Sequence, residues 1–169
     1  VVVAVAQTDN DLTTEATFLA NVDQIVLDGA SNVTFDAAQI LKLQSVTSPE
    51  TFNIKDTGQA IINLHADGHG DLLEGASNVT ASSAELSEAV KFSDPNDAFS
   101  SLVDSYEMSS SAVQHINNNA LDVAEAKAVN GATTPPAYSI HDSYANIKAL
   151  RADGDGSAVT NATTVSANA

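Results

Sequence analysis

The chain has no cysteine, no tryptophan and a single methionine, and it sets only six basic residues against 22 acidic ones. Without cysteine there is neither a disulfide framework nor a thiolate metal site. With so few Lys and Arg, neutralisation of phosphates fails, so nucleic acid is not expected as a partner. A formal charge of -16 with a pI near 4.1 disfavours anionic membrane surfaces on the same ground and suits divalent cations and salt-rich surroundings. No apolar run reaches the length of a membrane span, so membrane insertion is not expected. The opening VVVAVAQT is too short and lacks the basic flank of a signal peptide, and it reads as a β-strand. The chain starts on Val1 and stops on NATTVSANA, part-way through a pattern already used, which suggests that neither terminus is a natural domain boundary.

Aromatic residues make up only 5% of the chain, and Val, Ile, Leu and Ala supply most of its apolar content. Cores built from such residues come in thin layers, which suits an architecture whose units pack only on their neighbours. Catalytic signatures are missing as well. No serine lies in G-x-S-x-G, and there is no H-E-x-x-H, no glycine-rich phosphate loop and no paired-carboxylate signature, so an enzyme is not expected.

What the chain does contain is an internal repeat. Residues 52–83, FNIKDTGQAIINLHADGHGDLLEGASNVTASS, align without a gap on residues 138–169, with 11 of 32 positions identical at an offset of 86. A shorter similarity places residues 26–41 on residues 72–87, with GASNVT identical in both. The recurring element is a short β-branched run, an Asp or Ser, and apolar residues at helical spacing. FNI with Asp56 and Thr57 and then AIINL reads as strand, N-cap and two helical turns. YSI with Asp142 and Ser143, NVTF with Asp36, and NVTAS with Ser83 repeat the reading. An Asp or Ser at each junction supplies a side-chain oxygen to an unpaired first-turn amide, an interaction of about 1 kcal/mol.

Residues 92–130 read as helical: Asp94 before Pro95 as a cap, Ser109–Ser111 as a second cap, and ALDVAEAKAV as a third helix or part strand. TTPP at 133–136 reads as a boundary. The expected fold is therefore an α/β repeat. Short parallel strands alternate with short capped helices, solenoid-like, with a helical insertion around 92–130. The expected divisions are a first repeat region over 1–91, a helical segment over 92–134 and a second, truncated copy over 135–169.

YSIHDSYANIKAL and FNIKDTGQAIINL, together with DQIVLDGASNVTFDAAQILKL, resemble tandem segments of very large secreted bacterial proteins: RTX-type adhesins, haemagglutinin-like proteins and surface-layer proteins. The resemblance covers a little over half of the chain. It implies secretion and a structural or adhesive role. The first expectation is a structural unit of a cell-surface layer, filament or sheath that self-associates into an oligomer or polymer. The alternative is a calcium-dependent adhesin module that binds a surface glycan or another cell.

Candidate ligating residues are few. ADGHGD and ADGDGS gather carboxylates at glycine turns, which makes Asp67, Asp153 and Asp155 candidate calcium ligands, although neither stretch matches an EF-hand or the RTX nonapeptide. The competing reading is that each DG pair ends a helix and turns the chain. His65 and His69 have metal-ligand spacing, but the glycines around them argue for a loop. Asn32, Asn78 and Asn161 open N-x-T acceptor patterns.

Overall fold

Asp36 is the simplest illustration of how this sequence folds. Its carboxylate accepts the Gln39 amide at 2.7 Å while the Gln39 side chain accepts the Asp36 amide at 3.0 Å, so strand Val33–Phe35 stops and a helical turn begins. In the computed structural model, which describes residues 1–6, 10–45 and 51–168, this strand, cap and helix sequence recurs along the chain. The protein is a mixed α/β protein of short parallel strands and short helices. It divides into two units: 1–81 with 102–104, and 82–101 with 105–169.

In the first unit the chain runs β1 (Val2–Val5), α1 (Ala16–Leu19), β2 (Gln24–Leu27), β3 (Val33–Phe35), α2 (Ala37–Ile40) and β4 (Leu43–Ser45). It continues with β5 (Phe52–Thr57), α3 (Gly58–Leu64) and α4 (Gly70–Gly75), and then enters β6 (Asn78–Ala84), within which the boundary falls. β1, β2 and β4 form one parallel sheet in that order, and β3 pairs in parallel with β5, Phe35 beside Ile54. The core of this unit is built from apolar residues of these strands and of α2 and α3. Ile25, Val33, Phe35, Ile40, Ile54 and Ile61 are fully buried, and Phe35 meets Phe52 edge-on at 6.5 Å. β1 holds four residues of the opening run, while Gln7 and Thr8 lie outside the described residues.

The second unit contains α5 (Leu86–Ser93), β7 (Ser105–Met108), α6 (Ser110–Asn118), α7 (Val123–Gly131), β8 (Ser139–Ser143), α8 (Tyr144–Ala152), α9 (Gly156–Asn161) and β9 (Thr164–Asn168). β8 pairs in parallel with β9 and also bridges to Leu121 through Ile140. The core gathers Ile116, Leu121, Ala126, Val129, Tyr138, Ile140 and Ile147, and Phe92 packs against Phe99 and Tyr106.

The middle of the chain differs from the helical segment expected there. β7 lies inside it, followed by the Ser109 cap and α6, and Leu121 forms its bridge just before the Asp122 cap of α7. It is a continuation of the strand, cap and helix element. Asp94 does not cap a helix. It ends α5 and ties Asn96 into a turn, and Pro95 starts no α-helix. Nor is Ser83 a cap, because β6 runs on to Ala84 and Glu85 makes the capping box with Glu88.

The 86-residue recurrence extends further back than the alignment indicated. The pairing of Phe35 with Ile54 recurs as Leu121 with Ile140, and the capping box of Asp36 and Gln39 recurs as Asp122 and Glu125. Thr57 caps α3 as Ser143 caps α8. The Ser77 amide donates to the Phe52 carbonyl and the Thr163 amide to the Tyr138 carbonyl, both at 2.8 Å. Gly68 and Gly154 both sit at φ +91, a left-handed conformation that favours glycine.

Candidate functional site

The recurrence places the same groove in each unit. In the first, the start of α2 (Ala37, Ala38) and Leu41 face Ala60, Asn63 and Leu64 of α3, with Asp67 and His69 at the end, around a volume of about 250 Å³. In the second, Val123, Ala124 and Lys127 of α7 face Asn146, Ala149 and Leu150 of α8, with Asp153 and Asp155 at the end, around about 230 Å³. Each lining residue of one groove is 86 positions from a lining residue of the other.

Local structure explains the shape. Each groove lies between two short helices whose N-termini are fixed by caps, and it closes where the chain turns through Gly68 or Gly154. At that turn the first copy winds as a single π-helical stretch, His65–His69, broken in conformation at Gly68. The His65–His69 region is thus a kinked helix and not the loop its glycines suggested. The His65 ring fills the space beside Gly70, where an added Cβ would come within 3.0 Å of it.

In each unit a carboxylate from the following strand takes the first amide of the groove's first helix. Asp56 accepts the Ala37 amide at 3.0 Å, and Asp142 accepts the Val123 amide at 3.1 Å. Asp142 also accepts the Ser143 amide at 2.6 Å and the Asn146 side-chain amide at 2.8 Å. The Val123 and Ser143 amides, then Asn146 and the nearby His141, hold its carboxyl below the usual range. Glu85 is lowered in the same way by the hydroxyls of Ser111 and Ser109, at 2.5 and 2.8 Å.

The candidate calcium ligands take up groove-end positions. Asp67 and Asp153 are mates in the recurrence, both exposed and each directly before a left-handed glycine. Asp155 is the mate of His69 and forms an ion pair with Lys127 at 2.8 Å. Among the described residues, no three His, Asp or Glu side chains converge as a metal site. Two of the groove amides are engaged nearby: Asn63 accepts from Gln59 at 2.9 Å, and Asn146 donates to Asp142 at 2.8 Å.

A larger hollow of about 420 Å³ opens in the second unit between Ile116–Ala120 and Ala137–Ser139, with Thr163 beside it. Amides and hydroxyls line it. Asn118 and Asn119 donate back to the Gln114 and His115 carbonyls, and the Ser139 and Thr163 hydroxyls share a hydrogen bond of 3.0 Å.

Sequence reasoning found the caps at Asp36, Ser109 and the Asp56-Thr57 and Asp142-Ser143 junctions, but it missed the part of Asp56 and Asp142 in binding the neighbouring helix, since Thr57 and Ser143 do the capping. The signal was present in the unbroken 86-residue spacing of the Asp-Thr and Asp-Ser pairs. Comparison with known protein families, curated proteins and solved structures found no match for this chain. Among the described residues, no helix is long and apolar enough to cross a membrane.

Proposed function

We propose that the protein is a self-associating structural module of an extracellular bacterial assembly, a surface layer, filament or sheath, built in solenoid fashion from stacked strand, cap and helix elements. One observation carries this reading. The two grooves keep their architecture while exchanging their chemistry. Caps, left-handed glycines, Leu64 with Leu150, and Asp67 with Asp153 persist. Leu41 gives way to Lys127, Ala60 to Asn146 and His69 to Asp155. A site that bound the same ligand twice would hold its contacting groups and let the scaffold drift; here the scaffold is held.

The extracellular setting follows from the resemblance of the repeat motifs to secreted surface proteins. Light scattering on the purified chain over a concentration series tests the reading: growth of the particle with concentration supports it, and a monomer at every concentration overturns it. Thermal melting with added calcium is a second arm, in which a rise in melting temperature that is lost in Asp67→Asn, Asp153→Asn or Asp155→Asn assigns the cation to the groove ends.

The second reading is an adhesin module, favoured by the amide- and hydroxyl-lined hollow at Asn117–Asn119, whose chemistry suits a carbohydrate. A glycan array distinguishes it, with loss of any signal in Asn117→Ala expected if the hollow is the site.

A further inference from the structure

We propose that the hollow beside Asn119 and Ser139 binds an N-acetylated sugar, whose acetamido group takes the place of a missing rung in the strand ladder. The inference rests on the adhesin reading above and names the class of sugar that the hollow selects.

The recurrence shows what is missing. In the first copy β3 lies along β5 with Val33 opposite Phe52 and Thr34 opposite Asn53. The mates of these four residues, 86 positions on, are Asn119, Ala120, Tyr138 and Ser139. They are not paired. Among the described residues, this part of the second copy keeps only the bridge of Leu121 with Ile140, and the four unpaired mates are walls of the 420 Å³ hollow. The sequence accounts for the opening. In the first copy the Thr51 hydroxyl accepts the Asn32 amide at 2.9 Å and ties the two strands at this point, whereas the mate of Thr51 is Ala137, which has no hydroxyl. Asn118, the mate of Asn32, is drawn into the end of α6.

The open rung turns backbone groups toward the hollow. Leu121 donates to the Ser139 carbonyl and accepts from the His141 amide, both at 2.8 Å. In a strand the amide and carbonyl of one residue point to the same side, so the Ser139 amide also faces the Leu121 side. Asn119 is extended, at φ -134 and ψ 147, and stands two residues before Leu121, so its carbonyl faces β8. No backbone bond joins Asn119 to Ser139 or Ala137 among the described residues. A donor and an acceptor therefore stand on opposite walls with space between them.

A trans secondary amide carries its N–H and C=O in opposite directions. Seated between the walls, an acetamido group accepts from the Ser139 amide and donates to the Asn119 carbonyl, which restores the rung. Ile116, 3% exposed, offers apolar surface to the acetyl methyl. Asn117 and the paired Ser139 and Thr163 hydroxyls supply the polar groups that a sugar ring needs. The Leu121 bridge closes the slot after one rung, so a peptide would find a single pairing where strand addition uses several. One amide on a compact, hydroxyl-rich ligand fits this shape better.

Isothermal titration of the whole chain with diacetylchitobiose and with cellobiose tests this, because the two disaccharides differ only in acetamido against hydroxyl at the second ring carbon. Diacetylchitobiose is expected to bind about tenfold or more tightly than cellobiose, the effect of one amide's hydrogen bonds. It should also shift the amide resonances of Ser139 and of Ala120, whose peptide group contains the Asn119 carbonyl. Ala137→Phe, at an exposed wall position, fills the hollow and should abolish binding, with circular-dichroism melts checking the fold. Equal binding of the two sugars in the hollow overturns the acetamido assignment and leaves the adhesin reading standing. Equally tight binding of N-acetylalanine methylamide overturns it in favour of a peptide. Diacetylchitobiose binding that survives Ala137→Phe overturns the site. If neither disaccharide binds, the assignment falls, and a blank glycan array then takes the adhesin reading with it.

Discussion

The Asp142 carboxylate accepts the Val123 amide at 3.1 Å, a bond that fastens the start of α7 to the end of β8 across 19 residues. The Asp56 carboxylate does the same for Ala37 at 3.0 Å. In each case the amide belongs to the first turn of a helix, where backbone donors have no partner within the helix. A carboxylate that leaves capping to the next residue is free to satisfy the neighbouring helix.

Replacing Asp142 by Ala orphans the Val123 and Ser143 amides at once. The expected loss is about 1–2 kcal/mol in urea unfolding at neutral pH, on the scale of charge-assisted hydrogen bonds that water partly replaces. Asp142→Asn should recover a part of this, because its amide oxygen still accepts. An Asp142→Ala chain as stable as the wild type would show that the bond contributes nothing.

Acid should act through the same group. Asp142 has a carboxyl pKa below its ordinary 3.8 in the folded chain, so its contribution is complete above that value and is lost as pH falls beneath it toward the folded pKa. Between pH 5 and pH 2, roughly, the wild type should lose stability more steeply than Asp142→Asn. Parallel curves for the two proteins would contradict this.

Tyr106 and Gly131 make a testable pair. The Tyr106 hydroxyl donates to the Ala128 carbonyl at 2.6 Å, and a Cβ on Gly131 would come within 2.6 Å of that hydroxyl. Gly131→Ala should therefore cost about 1–3 kcal/mol, as overpacking does. In the Tyr106→Phe background the nearest ring atom is at 3.6 Å, an ordinary contact, so most of the penalty should vanish. A double-mutant cycle by chemical denaturation reads this directly, and additive losses would refute it.

Burial pushes the Tyr106 phenol up to about 12 from 10.0, outweighing the opposing effect of Ser93. A raised acid pKa means that the folded chain keeps its proton longer than the unfolded one, so stability falls as pH rises from 10 toward 12. Tyr106→Phe should remove that alkaline loss from the unfolding curve.

The left-handed glycines separate conformation from packing. Nothing lies within 4 Å of a Cβ built on Gly154, so Ala there meets no clash and should cost only about 1 kcal/mol for its positive φ. Asn tolerates that region better than Ala and should cost less. Thermal melting of Gly154→Ala and Gly154→Asn gives the order, and the reverse order would count against this account.

Much of this fold is legible in the sequence where an element is long enough to show a period. FNI followed by Thr57 and AIINL became β5, a cap and α3, and Ser109 capped α6 as its position implied. The middle was not legible because its strands are too short to alternate: β7 holds four residues, and Leu121 contributes a single bridge. Asp94 misled because Asp before Pro suits a turn as well as a helix start, and three-dimensional context chose the turn. The grooves were hidden for another reason. Each is assembled from two helices about 20 residues apart in sequence, and five of the eight lining mates differ in residue type, so the constant 86-residue spacing is what betrays them.

The bonds from Asp56 and Asp142 run from one strand, cap and helix element to the next along the chain, and so couple neighbours within each unit. Bonds of this kind between neighbouring elements bear on whether melting stays local or spreads. With both carboxylates in place, amide hydrogen exchange should show α7, β8 and α8 opening as a single cooperative block. Without Asp142 the block should divide at that joint, with α7 exchanging first.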